Sequence, residues 1–181
     1  MACGSISTSY RKGTCDNIAA GVGAFYIGNH SGETTTWAYG PSTGNAYVTG
    51  ATNNPSFFLC EQRVQTAEFK EETVVNDQYG SYNIRQTIKV VLLGQNNKNR
   101  QFANKLLAGS YEVIVKNSDG NYVLLGIDNG LERGGDSNAN PGISAGDKNT
   151  IEITLTGLAT EFAPVIDITS TAYTNTLLVT S

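Results

Sequence analysis

Two long runs of alternating side chains, Arg63 to Val75 and Ser81 to Leu93, constrain this chain more than any other feature. Between them lies Asp77-Gln78-Tyr79-Gly80, a turn-forming stretch, so the two runs read as one antiparallel hairpin. If Asn76 pairs with Ser81, Phe69 faces Ile88 and Ala67 faces Val90, while Glu72 meets Arg85 and Glu68 meets Lys89. One face is then apolar and the other carries opposed charges, the arrangement that stabilises neighbouring strands. Glu71 falls on the apolar side, opposite Gln86. A slip of one residue would set Glu68 against Ile88 and spoil both faces. The runs are about 13 residues each, well beyond the 5 to 6 of an average strand, so part of the hairpin should project past the core.

The rest of the chain supports a strand-rich reading. Gly, Thr, Asn and Ser make up 71 of 181 residues and charged residues only 15%, a composition suited to pleated surfaces and turns. Val22 to Ile27, Ser56 to Cys60, Tyr111 to Lys116, Tyr122 to Ile127 and Thr150 to Thr156 read as strands, with Ile151, Ile153 and Leu155 inward. Ser118-Asp119-Gly120-Asn121 supplies a hairpin turn. A helix starts at Asn96 or Asn97, shares a face between Phe102, Ala103, Leu106 and Leu107, and stops at Gly109. The stretch 29–55 is expected to be a long loop with a short strand near Tyr47, and Asp128 to Asn149 a second loop. Two more strands are expected between Glu161 and Ser181. The sum is a single mainly-β domain over 1–181: an antiparallel β-barrel or two-sheet sandwich with one flanking helix and a projecting hairpin. Residues 1–20 form an N-terminal arm.

Chemistry is notable for what fails. Gly142-Ile143-Ser144-Ala145-Gly146 matches a nucleophile elbow, but it sits in a Gly/Asn/Pro loop before a strand, and the one histidine, His30, precedes it. His30 reads as a surface residue, and no ligand spacing or dinucleotide fingerprint is present. No enzyme activity, metal or cofactor is expected. Three cysteines, Cys3, Cys15 and Cys60, without paired spacing read as reduced or incidental. No apolar run nears the roughly 18 residues of a membrane span, and the N-terminus lacks the apolar core of a secretory signal. The expectation is a protein made in a cytoplasm, soluble at first and with no membrane partner.

Charge separates into two clusters. Lys98, Arg100 and Lys105 lie on the outer face of the helix, either as a solvated face or as a salt-bridge patch between subunits. Glu68, Glu71, Glu72 and Asp77 lie on the long hairpin, either for solubility and edge protection or as a surface that repels nucleic acid. With a net charge of −4 the chain has no overall basic, DNA-gripping character.

Thr14-Cys15-Asp16-Asn17 leading into Gly21 to Gly28 resembles the N-terminus of phage tail structural proteins. So does Tyr111 to Glu132, followed by a Gly/Asn loop and Ile151 to Gly157. The resemblance is to tail tube proteins and the ring proteins of phage necks and tails. It implies a virion protein, assembled in the host cytoplasm, that forms a ring of six or more copies around a passage for DNA. Adjacent tail or neck proteins would be its other partners. In that setting some of Glu68, Glu71, Glu72 and Asp77 would face the passage, where phosphates slide rather than bind. Tyr79 and Tyr82 at the hairpin tip would touch an adjacent ring. The alternative from another class is a decoration or carbohydrate-binding module, which would expose Tyr or Trp37 in a groove. A third, a hydrolase using Ser144, fails on the motif's context.

Overall fold

A computed structural model describes residues 21–30, 37–39, 48–51, 56–62, 66–76, 81–142 and 147–166. The expected arm 1–20, most of the loop 29–55, Asp77, Tyr79, Ser144, Cys3, Cys15 and the tail strands past Ile166 lie outside these residues. The elements run β1 (Val22–Asn29), β2 (Trp37–Tyr39), β3 (Val48–Ala51), β4 (Phe57–Glu61), β5 (Glu68–Asn76), β6 (Ser81–Leu93) and α1 (Asn97–Ala108). They continue with β7 (Tyr111–Asn117), β8 (Tyr122–Leu125), β9 (Glu132–Arg133), β10 (Asn138–Asn140) and β11 (Thr150–Ala159).

Two antiparallel sheets pack face to face, so the architecture is a sandwich with one helix and not a closed barrel. The first sheet has the order β4-β1-β7-β8; the second has β10-β11-β6-β5, with β9 also on β11; β2 and β3 form a separate pair. Between the sheets lie Phe25, Val113, Val115 and Leu125 from the first and Ile88, Val90, Ile153 and Leu155 from the second. Ala103 and Leu106 of α1 join this core. The helix is held at its start by Asn96, whose side chain accepts from the Asn99 N–H at 2.8 Å. Gly109 follows in extended geometry, where any Cβ would collide with the Tyr111 ring.

A second cluster, Trp37, Phe57, Ile114, Leu124 and Ile166, covers the other face of the first sheet. Strand β7 is therefore buried on both sides, which explains its unbroken apolar run Val113-Ile114-Val115.

The β5–β6 hairpin has the expected register throughout: Glu68 pairs with Lys89, Phe69 with Ile88, Glu72 with Arg85 and Asn76 with Ser81. Strand β5 starts at Glu68, five residues after the start of the run read from the sequence. The ion pairs go elsewhere than expected. Lys70 binds Glu72 at 2.6 Å along the same strand, and Lys89 binds Glu152 at 2.6 Å. On the outer face β6 lies between β5 and β11, so Lys89 has a second strand to choose from, and Glu152 is its diagonal neighbour there.

Three short strands were not anticipated: β2 within the loop 29–55, and β9 and β10 within the loop after Asp128. Each has two or three residues, too few to show a period of two.

Two buried glutamines fasten the sheets. The Gln62 side-chain oxygen accepts from Val91 N at 2.9 Å, and that of Gln86 accepts from Gly126 N at 3.0 Å. Gly126 has φ +76°, and a Cβ there would stand 2.7 Å from the Tyr111 carbonyl oxygen. Gly126→Ala should therefore lower the unfolding free energy by more than about 1 kcal/mol in urea titrations. Unchanged stability would mean that the bend after β8 is not fixed as described.

Candidate assembly surfaces

Of the residues singled out from sequence, the four that are described, Glu68, Glu71, Glu72 and Tyr82, do not form one site. Glu68 and Glu72 are exposed on the outer face of the second sheet, together with Lys70, Arg85, Lys89 and Glu152. On β5, β6 and β11 three carboxylates and three cations share that face, so on these strands the charge is close to balanced; Glu132 of β9, opposite Thr156, adds one carboxylate. Glu71 points the other way. Its Oε1 accepts from Gln86 Nε2 at 3.1 Å and from Ala163 N at 2.8 Å, which makes it an internal fastening rather than a free surface charge. Tyr82 is 60% exposed and pairs across the hairpin with Val75, itself 59% exposed.

That apolar pair marks where the hairpin leaves the sandwich. The ladder between β11 and β6 ends at Ala159–Ile84, with Ile84 buried. Three more rungs of β5–β6, from Val74–Asn83 to Asn76–Ser81, extend beyond it. At about 3.4 Å per residue this is an arm of roughly 10 Å before the turn.

The sheet edges differ in how they are protected. Strand β8 is covered by residues 164–166: Leu124 N donates to Pro164 O and Ile166 N to Tyr122 O. Strand β5 carries Glu68, Lys70, Glu71 and Glu72. Strand β4 is uncharged until Glu61 and shows Phe58 and Leu59 to solvent. Strand β10 is short and uncharged. Beside it, between α1, β10 and β11, opens a cleft of about 380 Å³. Its rim carries Arg100, Asn97, Gln101 and Asn138, and its floor Leu107 and Ile153; no aromatic residue lines it.

His30 is not the surface residue expected. Its Nδ1 lies 3.1 Å from Glu112 Oε1, and Glu112 is 1% exposed. Trp37 is buried over the same sheet face, and its Nε1 and the second Glu112 oxygen have no direct hydrogen-bond partner among the described residues. Burial pushes the Glu112 carboxyl above its ordinary value of 4.5, opposed by the hydrogen bond and charge of His30. The sequence signal was a lone acid inside an otherwise apolar, doubly covered strand; its partner 82 residues away could not be read. Cys60 is free and buried, and burial pushes its thiol to about 11, which makes it unreactive. Among the described residues no group of three or more His, Cys, Asp or Glu could hold a metal ion, and no helix is long and apolar enough to cross a membrane.

Comparison with protein-family models, with curated proteins and with solved structures finds no match.

The buried carboxyl has a consequence for pH. Folding raises its affinity for a proton, so its contribution to stability is complete below 4.5 and is lost as pH rises through the higher folded value. Glu112→Gln should flatten that part of the stability profile, above the ordinary carboxyl value of 4.5. Superimposable pH profiles for the variant and the natural chain would show that Glu112 does not titrate there.

Proposed function

We propose that this chain is a non-enzymatic virion structural protein that assembles with copies of itself into a ring or tube of a phage tail, around a passage for DNA. The observation that carries the reading is the hairpin that outruns its sheet and presents Val75 and Tyr82 to solvent. An exposed apolar pair on a projecting arm has no use in the isolated domain, and aromatic residues anchor the centres of interfaces. On this reading the arm reaches an adjacent ring or a neighbouring tail or neck protein. The balanced outer face of β5, β6 and β11 suits a wall past which a polyanion slides, because net cationic contacts are what hold phosphate. Among the described residues, Glu68 and Glu72 are the members of the acidic cluster available for such a wall; Glu71 is engaged inside the domain. Assembly would take place in the host cytoplasm, and the virion tail would be the final location.

The decoration or carbohydrate-binding alternative is less well supported. Trp37, the residue best suited to stack on a sugar, is 7% exposed, and the cleft beside α1 has no aromatic wall.

Electron microscopy of the purified full chain, with sedimentation velocity across a concentration series, tests the reading. Rings or tubes are expected. Val75→Ser combined with Tyr82→Ser should keep the circular dichroism of the folded sheet while shortening tubes to single rings. A chain that stays monomeric at every concentration would overturn the reading.

A further inference from the structure

Resting on the assembly reading, we infer that edge strand β4 of one copy takes residues 174–180 of another copy as an added antiparallel strand, with Phe58 and Leu59 packing against Leu177, Leu178 and Val179. Strand β4 is one end of the sheet β4-β1-β7-β8, and its outer side carries no ladder among the described residues. Phe58 pairs with Ile27, a member of the core between the sheets, so it lies on the inner face. Leu59 pairs with Tyr26, which packs on the cluster of Trp37 and Phe57, so it lies on the outer face. The two are 57% and 40% exposed. A layer placed on one face would hide only one of them. A strand laid along the edge covers both, because its own side chains alternate between the faces.

Sequence selects the segment. Leu177-Leu178-Val179 is the one run of three large aliphatic side chains in the stretches outside the described residues. As a strand it sends Leu177 and Val179 to one face and Leu178 to the other, so both faces of β4 gain an apolar partner. Thr174, Thr176 and Thr180 around it suit a pleated surface. Residues 168–181 carry no charge, and neither do Phe57 to Cys60 of β4, so nothing charged is buried by the pairing. Residues 1–20, by contrast, hold Arg11, Lys12 and Asp16 and no such apolar run.

Topology selects a second copy. Residues 164–166 lie antiparallel along β8, at the other end of the same sheet. Strand directions alternate from β4 to β8, so residues 164–166 run in the direction of β4. A stretch that turns back after them is therefore antiparallel to the β4 of a neighbour in the same orientation. The sheet then continues from copy to copy with every pair antiparallel and with inner face beside inner face. The slot beside the chain's own β4 lies five strand spacings from residues 164–166, about 24 Å across the whole sheet. The slot beside the neighbour's β4 adjoins them. The contact joins different patches, the β8 end of one copy and the β4 edge of the next, so it repeats head to tail and closes into a ring when the rotation permits.

Cross-linking in the full chain tests the inference. A benzophenone side chain in place of Leu59, in a mixture of isotopically light and heavy chains, should join mainly to residues 174–181 and should do so between light and heavy chains. Phe58→Lys and Leu178→Lys should each weaken self-association about tenfold or more in sedimentation velocity, since a charge on an edge strand blocks pairing. The two together should be no weaker than the weaker single variant, because both break one contact. Circular dichroism would verify that each variant is folded. Cross-links confined to single chains, cross-links that miss residues 174–181, or natural-strength association of both single variants would overturn the contact while leaving the assembly reading intact. A natural chain that does not associate would overturn both.

Discussion

The carboxamide of Gln86, 3% exposed between the two sheets, accepts from the Gly126 N–H on its oxygen and donates from its nitrogen to Glu71. The same Glu71 oxygen also accepts from Ala163 N. These bonds join the end of β8, the middle of β6, the edge strand β5 and the segment that returns to cover β8. Each group is costly to bury alone, and each is satisfied only if Glu71 stands opposite Gln86. The register of one hairpin therefore fixes how the sheets meet. It also fixes which part of the hairpin is left outside, since three rungs remain beyond the last pairing with β11.

This explains the contrast between what was legible in the sequence and what was not. Alternation over long runs was enough for the β5–β6 register, for β6 itself and for the inward set Ile151, Ile153 and Leu155, while β7 followed from an apolar run leading into the Ser118-Asp119-Gly120-Asn121 turn. The α1 boundaries followed from an Asn cap and a helical apolar stripe. Strands β2, β9 and β10 escaped because two or three residues hold no period, and their position depends on partners elsewhere in the chain. The Lys89–Glu152 pair escaped because a central strand offers each charge two flanking strands, and the Lys70–Glu72 pair because it forms along one edge strand instead of across the hairpin. Glu71 was misread as a surface charge although its parity with Phe69 and its place opposite a second polar residue on an apolar face were already visible. The His30–Glu112 pair joins residues 82 positions apart and could come only from the fold.

The same edges that make a sandwich vulnerable supply the surfaces from which an assembly can be built. Here they are not equivalent: one is covered by the chain's own return segment, one is acidic, one is short beside a basic helix, and one is apolar. Unequal edges favour contacts between different patches, which is the condition for rings and tubes rather than closed pairs. The outer face of β5, β6 and β11 balances its charges, so neither strong attraction nor strong repulsion of a polyanion is built into it.

The most direct measurement of the central claim is a double-mutant cycle on the fastening itself. Unfolding free energies of Glu71→Ala, Gln86→Ala and the double variant would be compared with the natural chain. If the two side chains act as one joint, their coupling should be about 1 to 3 kcal/mol, the double variant losing less than the sum of the singles. Losses that add to within about 0.5 kcal/mol would show that the two residues act independently and that the register alone does not lock the sheets together.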